Sequence, residues 1–524
     1  MTARSPAETD DDIAALARGG RTNFFGFLLR LAARLPFLFI AGRIYGPELL
    51  GRFAYAILIV EFAAQLATLG LKRGLAQQLS HTDKPHVCVV ADALLVAFIA
   101  SGIATVILAV FPQAMFPNSQ IHGFEWLLPL IVFAIAGSDV SLAALAYRHN
   151  VKATVTARAI VEPWTISIAA FALSYLSSRD GLIIAYVLSM VAALLASLWP
   201  LYKSYGLPTG WRPDPGALWN LARRNTPLAA ADAIEWGSRR LDIAILGLFF
   251  SPAIVGVYYV AQQVASLPQK LKTSFDPILG PVITEKLAED DKVAVARQVR
   301  QVGFWIIAAQ TGIALALAIP GKAVMGLVGP GFTGGTGALA FLLFAEAIAA
   351  TAVVSEAALV YIARHRNLMI SLLMLAVQAG LSIALIFLLR EVRPFFPRYM
   401  TDAAGNPIPD SQSTFIAAGV AIALMAAVGL ASILKSRLLG RLLGAPVQAW
   451  RWPLVWAALA AGLIGYGVTR IPEWSELILG VPLILLTFGA IVWRWGFTHE
   501  DRALFRMKKP EEPTLPPPGG SAPA

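Results

Sequence analysis

Long apolar runs, separated by short clusters of glycine, proline and charged residues, dominate the pattern of this chain. An apolar run of about 20 residues is the length that crosses the hydrocarbon core of a bilayer as an α-helix. The pattern predicts fourteen such spans, at residues 24–45, 51–71, 87–111, 124–147, 153–176, 180–202, 226–250, 253–275, 300–320, 337–362, 367–390, 412–434, 453–469 and 475–495. We therefore expect an all-α polytopic membrane protein.

The composition supports this interpretation and excludes a water-soluble enzyme. Of the 524 residues, 57% are hydrophobic and only 14% are charged, whereas a soluble protein carries roughly 25% charged residues. The net charge of +10 would suggest nucleic acid as the partner of a soluble protein. Here most lysines and arginines fall in alternate loops, on the side that is expected to face the cytoplasm. The excess charge therefore indicates topology, with both termini in the cytoplasm, and predicts no nucleic-acid partner.

The spans divide into two lobes, a terminal helix pair and polar connections. We expect a disordered cytoplasmic tail at 1–23, an N-lobe at 24–202, a cytoplasmic linker at 203–225, a C-lobe at 226–434, a helix pair at 435–495 and a second disordered cytoplasmic tail at 496–524. The two tails are acidic or rich in proline, and such compositions cannot build a core. The sequence at 282–301 predicts a short amphipathic helix on the cytoplasmic surface.

The two lobes show an internal repeat at an offset of 205 residues. IYGPELLGRFAYA at 44–56 aligns with LFFSPAIVGVYYVA at 248–261. The matched pairs are Pro47 with Pro252, Gly51 with Gly256 and Phe53 with Tyr258. Each copy lies at the turn between two spans, and both turns face the same side. The repeat therefore predicts parallel pseudo-twofold symmetry between two six-helix halves.

Ionisable residues are concentrated in two of the predicted spans. Such residues cost about 2.5–3.5 kcal/mol each at the bilayer centre and so usually face a cavity or a partner. In the first span Arg30 and Arg34 are four residues apart and share one helical face. In the seventh span a single stripe is formed by Asp232, Glu235, Arg239 and Asp242, with Arg240 beside it. Because these two helices begin the two lobes, their charged faces are expected to meet across a water-filled cationic cavity.

A purely structural interpretation of these charges stays open. Arg30 can extend to the cytoplasmic interface, and the charges of the seventh span can neutralise one another within the helix. Further polar faces at Glu61 with Gln65, and at Gln262 with Ser266 and Gln269, suit either a binding site or interhelical hydrogen bonds. Isolated carboxylates, suited to a coupling ion or to structure, are Asp92, Asp139, Glu162, Glu346 and Glu356.

Motifs for catalysis and for cofactor binding are missing from the sequence. It holds no GxxxxGK[ST] loop for ATP, and its six histidines are scattered without metal-ligand spacing. The single Cys88 excludes an intrachain disulfide and a cysteine metal cluster. We therefore expect no catalytic residue, no metal and no cofactor, and consider a proton or sodium gradient as the energy source.

Three segments carry a resemblance to a known family. GRIYGPELLGRFAYAILIVEFAAQLATLGLKRGLAQQL resembles the start of the bacterial polysaccharide transporter family. RLDIAILGLFFSPAIVGVYYVAQQVASLPQKL and MGLVGPGFTGGTGALAFLLFAEAIAATA resemble its middle and later segments. The resemblance covers roughly residues 20–390. It places the chain near the multidrug/oligosaccharidyl-lipid/polysaccharide (MOP) exporter superfamily, which includes multidrug extruders and the lipid II, O-antigen and exopolysaccharide flippases.

The resemblance implies two six-helix lobes, alternating access, a C-terminal helix pair and a cationic central cavity. That cavity falls on Arg30, Arg34, Arg239 and Arg240, which we expect to bind pyrophosphate or acidic sugars. Ion coupling, or charge partnership with the arginines, is expected from Asp232, Glu235, Asp242 and Glu61.

The leading hypothesis is a flippase for undecaprenyl-diphosphate-linked oligosaccharide in the bacterial inner membrane, serving surface polysaccharide biosynthesis. Its expected partners are this substrate, membrane lipids, and the polysaccharide polymerase and glycosyltransferases that act around it. One alternative is a cation-coupled exporter of drugs or small molecules with the same fold. Another is a membrane-embedded glycan polymerase or ligase, for which the only long outer loop is 391–411.

Overall fold

The computed structural model of the chain describes residues 35–82, 84–117, 121–273, 283, 286, 289, 291–392, 411–498 and 501. These residues form helices and turns, with no strand among them. Nine helical stretches of this part are long and apolar enough to cross a membrane, judged by length and composition. The prediction of an all-α, multi-pass membrane protein is thereby confirmed.

The N-lobe consists of helices that connect through tight turns. They are α1 (35–45), α2 (Gly46–Ala67), α3 (Leu71–Ser80), α4 (His86–Val110), α5 (Gly123–Tyr147), α6 (151–173) and α7 (Gly181–Tyr205). Gly46 adopts a φ of 77° between α1 and α2, a conformation that suits glycine because it has no Cβ. Within α6, residues Thr156–Val161 widen into a π-helical turn.

The C-lobe and the terminal helix pair complete the described part. Their helices are α8 (Pro215–Ser238), α9 (Leu241–Phe249), α10 (Pro252–Thr273), α11 (Lys292–Ala318), α12 (Gly321–Val328), α13 (Thr336–Ile362), α14 (Arg364–Val392), α15 (Ser411–Leu443), α16 (Pro453–Val468) and α17 (Glu473–Gly496). Helix α13 packs between α11 and α15, and the pair α16 and α17 packs on α11. One apolar core spans the N-lobe and the outer half of the C-lobe, and a second lies under the terminal pair.

Each predicted span overlaps a helix in the part of the chain that is described, but the linker between the lobes is shorter than expected. Helix α7 continues to Tyr205 and α8 begins at Pro215, so only residues 206–214 connect the lobes. The start of α8 is set locally, because the Asp214 side chain accepts a hydrogen bond from the Gly216 amide and Pro215 occupies the first helical position. Both helices thus extend into the predicted linker at 203–225, which stays a prediction as a boundary between the lobes.

Two predictions for the polar segments need correction. Residues 292–301 do not form a separate surface helix, because they are the first turns of α11. Val295 and Val299 of these turns are buried in the second apolar core, and this packing extends the helix into the expected surface segment. Most of 282–291 lies outside the described residues.

The C-terminal tail also begins later than residue 496. The buried Asp501 carboxylate accepts hydrogen bonds from the Trp305 indole (2.9 Å) and the Arg451 guanidinium (2.5 Å). The Thr498 amide and hydroxyl donate to the same carboxylate at 2.9 and 2.8 Å. These bonds hold Asp501 against α11 and join it to Thr498. Residues 1–34 and 502–524 lie outside the described part, so the tails predicted there stay predictions.

The repeated segments meet across the lobe interface. A Cβ placed on Gly51 would lie 1.7 Å from the Pro252 carbonyl oxygen, and a Cβ on Gly256 would lie 2.0 Å from the Pro47 carbonyl oxygen. The two contacts are reciprocal, as a twofold relationship requires. The backbones of α2 and α10 thus touch at positions where only glycine fits, which supports the predicted pseudo-symmetry.

Candidate functional site

The expected charged stripe of the seventh span is divided by a break in the helix. Helix α8 ends at Ser238, Arg239 and Arg240 form a turn, and α9 begins at Leu241. The sequence GSRR permits the break, because glycine and serine are weak helix formers and Arg240 takes a non-helical φ of −132°. The prediction of one continuous stripe from Asp232 to Asp242 is therefore wrong.

On the α8 side of the break, the acidic residues bind an arginine of the N-lobe. The Arg73 guanidinium of α3 lies 2.9 Å from an Asp232 carboxylate oxygen and 2.6 Å from a Glu235 carboxylate oxygen. Glu235 also accepts a hydrogen bond from Arg239 at 3.0 Å, one helical turn away. Asp232 is buried, whereas Arg73 and Arg239 are 53% and 62% exposed. Arg73 is thus a bridge between the lobes at the edge of water.

Glycine lets α3 approach α8 closely beside this bridge. A Cβ on Gly74 would lie 1.9 Å from the Asn225 side-chain oxygen, and a Cβ on Gly70 would lie 2.6 Å from the Leu228 Cβ. Asn225 itself is buried. The bridge and this contact close the two lobes against each other at the end of α2 that is predicted to face the cytoplasm.

At the break itself, Arg240 makes a second contact between the C-lobe and the N-lobe. Its guanidinium lies 3.5 Å from a Glu61 carboxylate oxygen of α2 and stacks 5.4 Å from the centre of the Trp236 ring. Tyr186 of α7 donates a hydrogen bond of 3.1 Å to the other Glu61 oxygen. Glu61, expected as one edge of a polar face, therefore joins both lobes.

Beyond the break, Asp242 is hydrogen-bonded within the C-lobe. Its carboxylate accepts hydrogen bonds from the Tyr258 hydroxyl (3.0 Å), the Gln262 amide (2.9 and 3.1 Å) and the Ile243 backbone amide (2.9 Å). The side chain is buried. All the hydrogen-bond donors that reach it from the described residues are neutral.

A second charged cluster lies within the N-lobe. Arg158, in the π-helical turn of α6, binds Glu162 at 2.9 Å and also forms an ion pair with Asp139 of α5. The Lys72 amine lies 3.6 Å from the other Asp139 oxygen. Asp139 and Glu162 are therefore not isolated carboxylates. Because Lys72 and Arg73 are adjacent in α3, this cluster is connected to the bridge between the lobes.

Two more of the carboxylates expected to be isolated have partners. Asp92 accepts a hydrogen bond of 2.8 Å from the Trp211 indole, which lies in the connection between the lobes. Glu356 lies 3.0 Å from the Lys435 amine, which is buried. A structural role accounts for both of these carboxylates.

The structure thus brings together part of the expected site and adds residues to it. Arg239, Arg240, Asp232, Glu235 and Glu61 all lie at the junction of the lobes. There the described arginines are matched by carboxylates, so the expected positive cavity depends on Arg30 and Arg34, which lie outside the described residues. Arg73 was not among the residues expected at the site, although the glycines at 70 and 74 on either side of it indicate a close helix contact.

Comparisons with known proteins agree with this architecture. A family model described as polysaccharide biosynthesis protein matches residues 40–320. No curated protein matches the chain. Among solved structures, the lipid II flippase MurJ in an inward closed conformation has a TM-score of 0.61 at 11% identity, covering 92% of this chain and 98% of its own.

An inward-facing multidrug resistance MATE family transporter of the MOP superfamily has a TM-score of 0.59 at 15% identity, covering 79% of this chain and 98% of its own. At such low identity these two structures show the fold alone. The family model, by contrast, matches more than half of the chain. The chain therefore belongs to the polysaccharide biosynthesis protein family and has the fold of the MOP transporters.

Proposed function

We propose that the protein is a flippase that moves undecaprenyl-diphosphate-linked oligosaccharide from the cytoplasmic to the periplasmic leaflet of the bacterial inner membrane. The observation that carries the proposal is the break between α8 and α9, which places Arg239 and Arg240 at the junction of the lobes. Family membership supports a role in polysaccharide biosynthesis, and the fold is that of membrane transporters. Glycosyltransferases that build the substrate and a polymerase that consumes it are the proposed partners.

The arginines suit a diphosphate by their chemistry and by the weakness of their present contacts. A guanidinium binds phosphate through two parallel charge-assisted hydrogen bonds. The contact between Arg240 and Glu61 is long, at 3.5 Å, and the pair of Arg239 with Glu235 is exposed. Exposed ion pairs contribute about 0–1 kcal/mol. A diphosphate therefore competes readily with Glu235 for Arg239, and the long contact between Arg240 and Glu61 leaves Arg240 able to bind it as well. The prenyl tail stays in lipid.

The same exchange links substrate binding to opening of the lobes. Arg73 with Asp232 and Glu235, and Arg240 with Glu61, are ion pairs between N-lobe and C-lobe residues. When a diphosphate binds Arg240, the ion pair between Arg240 and Glu61 across the lobes is lost. Substrate on the cytoplasmic side then favours separation of the lobes, which alternating access requires.

Asp242 is the proposed site of ion coupling. A buried ionised carboxylate is costly when no cation is hydrogen-bonded to it, and neutral groups alone donate hydrogen bonds to Asp242 from the described residues. Binding of a proton or a sodium ion removes that cost. The gradient of either ion would then bias the C-lobe conformation.

Charge reversal at the helix break tests the substrate proposal. In a strain that lacks the chromosomal copy, Arg239→Glu and Arg240→Glu should each reduce translocation of lipid-linked oligosaccharide at least tenfold. The measurement is accumulation of that intermediate on the cytoplasmic face. Arg224→Glu, an exposed arginine on α8, is the matched control and should retain wild-type flux. Full translocation by both reversal variants would rule out the arginine assignment.

A cation-coupled exporter of small molecules is the second candidate function. The observation that favours it is the equal matching of arginines by carboxylates at the described junction, since this site is not strongly positive. Efflux of a cationic dye from cells or proteoliposomes distinguishes the two functions. A flippase should export no dye. An exporter should export the dye, and deletion of its gene should leave the level of lipid-linked oligosaccharide unchanged.

A further inference from the structure

A cavity of about 340 Å³ opens at the end of the C-lobe that is opposite the basic loops. It lies where α9 turns into α10 and is lined by Phe249, Phe250 and Ser251, together with Arg390 from the last turn of α14 and Ser413 from the first turn of α15. No charge of the lobe junction lines it. By the predicted topology this is the periplasmic side.

The Arg390 guanidinium is held in place by aromatic rings. Its central carbon lies 5.7–5.9 Å from the centres of the Phe249, Phe250 and Phe387 rings. Phe249 and Phe387 pack edge to face, with ring centres 6.0 Å apart. Cation–π contacts at this range orient a guanidinium while leaving its edge available. The cation is therefore positioned rather than left free to sample solvent.

Most of the hydrogen-bonding capacity of Arg390 is unused within the described residues. Its one hydrogen bond there is donated to the Phe249 carbonyl oxygen at 2.9 Å, although a guanidinium has five N–H donors. The position at the end of a helix explains a positive charge, but it does not explain a cavity with two serines beside it. A fork of donors next to aromatic surface suits a planar anion carried on a partly apolar ring.

We propose that this cavity binds an anionic sugar residue, a uronic acid or a sugar phosphate, of the glycan that reaches the periplasmic side. The volume lies at the small end of the range for ligand pockets, roughly 300–1,000 Å³, and suits one sugar ring rather than a repeat unit. Arg390 binds the carboxylate or phosphate, and Phe249, whose ring lines the cavity, contacts the sugar ring. This inference rests on the proposed function, because it assumes a glycan substrate.

The test is direct binding to the purified full-length protein, in a detergent whose head group contains neither sugar nor phosphate. Glucuronate, glucose 1-phosphate and neutral glucose are titrated by saturation-transfer NMR. Both anionic sugars should bind, with glucose at least tenfold weaker. Arg390→Gln should weaken the anionic sugars at least tenfold. Arg470→Gln should change nothing, since Arg470 is an exposed arginine that also stacks on an aromatic ring, that of Tyr466.

A second arm separates a glycan from a lipid head group as the source of the anion. Glycerol 3-phosphate has the charge of glucose 1-phosphate but no ring, so it should bind at least fivefold more weakly. Equal binding of the two would identify a phospholipid site and overturn the glycan assignment. Glucuronate binding that survives Arg390→Gln would overturn the site itself.

A further variant tests the ring contact independently of Arg390. If Arg390→Gln lowers thermal stability, Phe249→Leu removes a ring that lines the cavity and should weaken glucose 1-phosphate more than glycerol 3-phosphate. Equal weakening of both would contradict the proposed ring contact. Because binding is measured without translocation, sugar binding by a protein that fails the flippase test would refute the function but not the site. Absence of binding in a working flippase would refute the site alone.

Discussion

The two lobes carry different chemistry at positions that the internal repeat makes equivalent. In the C-lobe, Asp242 accepts a hydrogen bond from Tyr258. In the N-lobe, the residues 205 positions earlier are Phe37 and Phe53, whose ring centres lie 5.9 Å apart. The same pair of positions is thus polar in one half and aromatic in the other.

The glycine contact, by contrast, is retained in both halves. Gly51 and Gly256 each meet the backbone of the other repeat. The comparison teaches that the close approach of backbones was kept while the side chains behind it diverged. The N-lobe neutralises Asp139 and Glu162 with Arg158, whereas the C-lobe surrounds Asp242 with neutral hydrogen-bond donors. An ion-dependent role therefore fits the C-lobe better than the N-lobe.

The largest expected effect comes from breaking what the two halves share. Gly51→Ala and Gly256→Ala each place a methyl group within about 2 Å of a backbone carbonyl oxygen, so α2 and α10 must separate. Overpacking of this kind typically costs about 1–3 kcal/mol, and we expect both variants to lose transport and to melt at lower temperature. Thermal unfolding and flux measured on the purified variants check this.

The control for these variants is Gly380→Ala in α14, where a Cβ would meet no heavy atom within 4 Å. It should be neutral or slightly stabilising, because alanine favours helix more than glycine does. A tolerated alanine at either interface position would mean that the halves are not equivalent there.

A smaller effect is expected from removing the buried carboxylate that distinguishes the C-lobe from the N-lobe. Asp242→Asn keeps the shape and can still accept from Tyr258, but it cannot bind a proton or a cation as a carboxylate does. The stimulation of the transport rate by an imposed proton or sodium gradient should therefore fall at least tenfold, while the protein stays folded. Phe37→Leu at the equivalent N-lobe position should lower stability only and leave the gradient response intact. A wild-type response in Asp242→Asn would remove Asp242 from the coupling mechanism.

The smallest effect concerns the clamp at the terminal helix pair, formed by the Asp501 carboxylate and its hydrogen-bond donors Trp305, Arg451 and Thr498. Burial alone would raise the pKa of Asp501, but hydrogen bonds from Arg451 and Thr498 outweigh it and hold the pKa below its ordinary value. A carboxyl whose pKa is lowered on folding contributes stability above its unfolded pKa of about 3.9 and loses it as the pH falls through the folded value. The difference in melting temperature between wild type and Asp501→Asn should be constant near neutral pH and shrink below about pH 4. A difference that does not change with pH would mean that the ionised form is not what stabilises the clamp.

The positions of the spans could be predicted because each is a property of a local run of apolar residues. The range 337–362 coincides closely with α13, Thr336–Ile362. The break at Arg239 and Arg240 could not be predicted with the same confidence, because the apolar and charged pattern continues through it. Residues 292–301 were misplaced for a related reason, since charged residues on one face concealed the apolar face that joins them to α11.

The candidate site was only partly predictable because its partners are distant in sequence. The charges of α8 and α9 indicated a site, but nothing local pairs Arg73 with Asp232 or Glu61 with Arg240. An i, i+4 pattern correctly indicated the pair of Glu235 and Arg239. The long-range pairs depend on how the lobes pack, which the sequence expresses only through the small residues at Gly70 and Gly74.

The contact between Gly51 and Gly256 lies near one end of α2, so most of the length of the helix extends to one side of it. From Gly51 to the end of α2 at Ala67 the helix rises by about 24 Å. In the alternating access proposed above, rotation of the lobes by about 20° around this contact would move that far end of α2 by about 8 Å. The contact involves backbone atoms and no interlocking side chains. The two glycines are therefore the proposed pivot, at which a small rotation produces a wide opening at the far end of the helix.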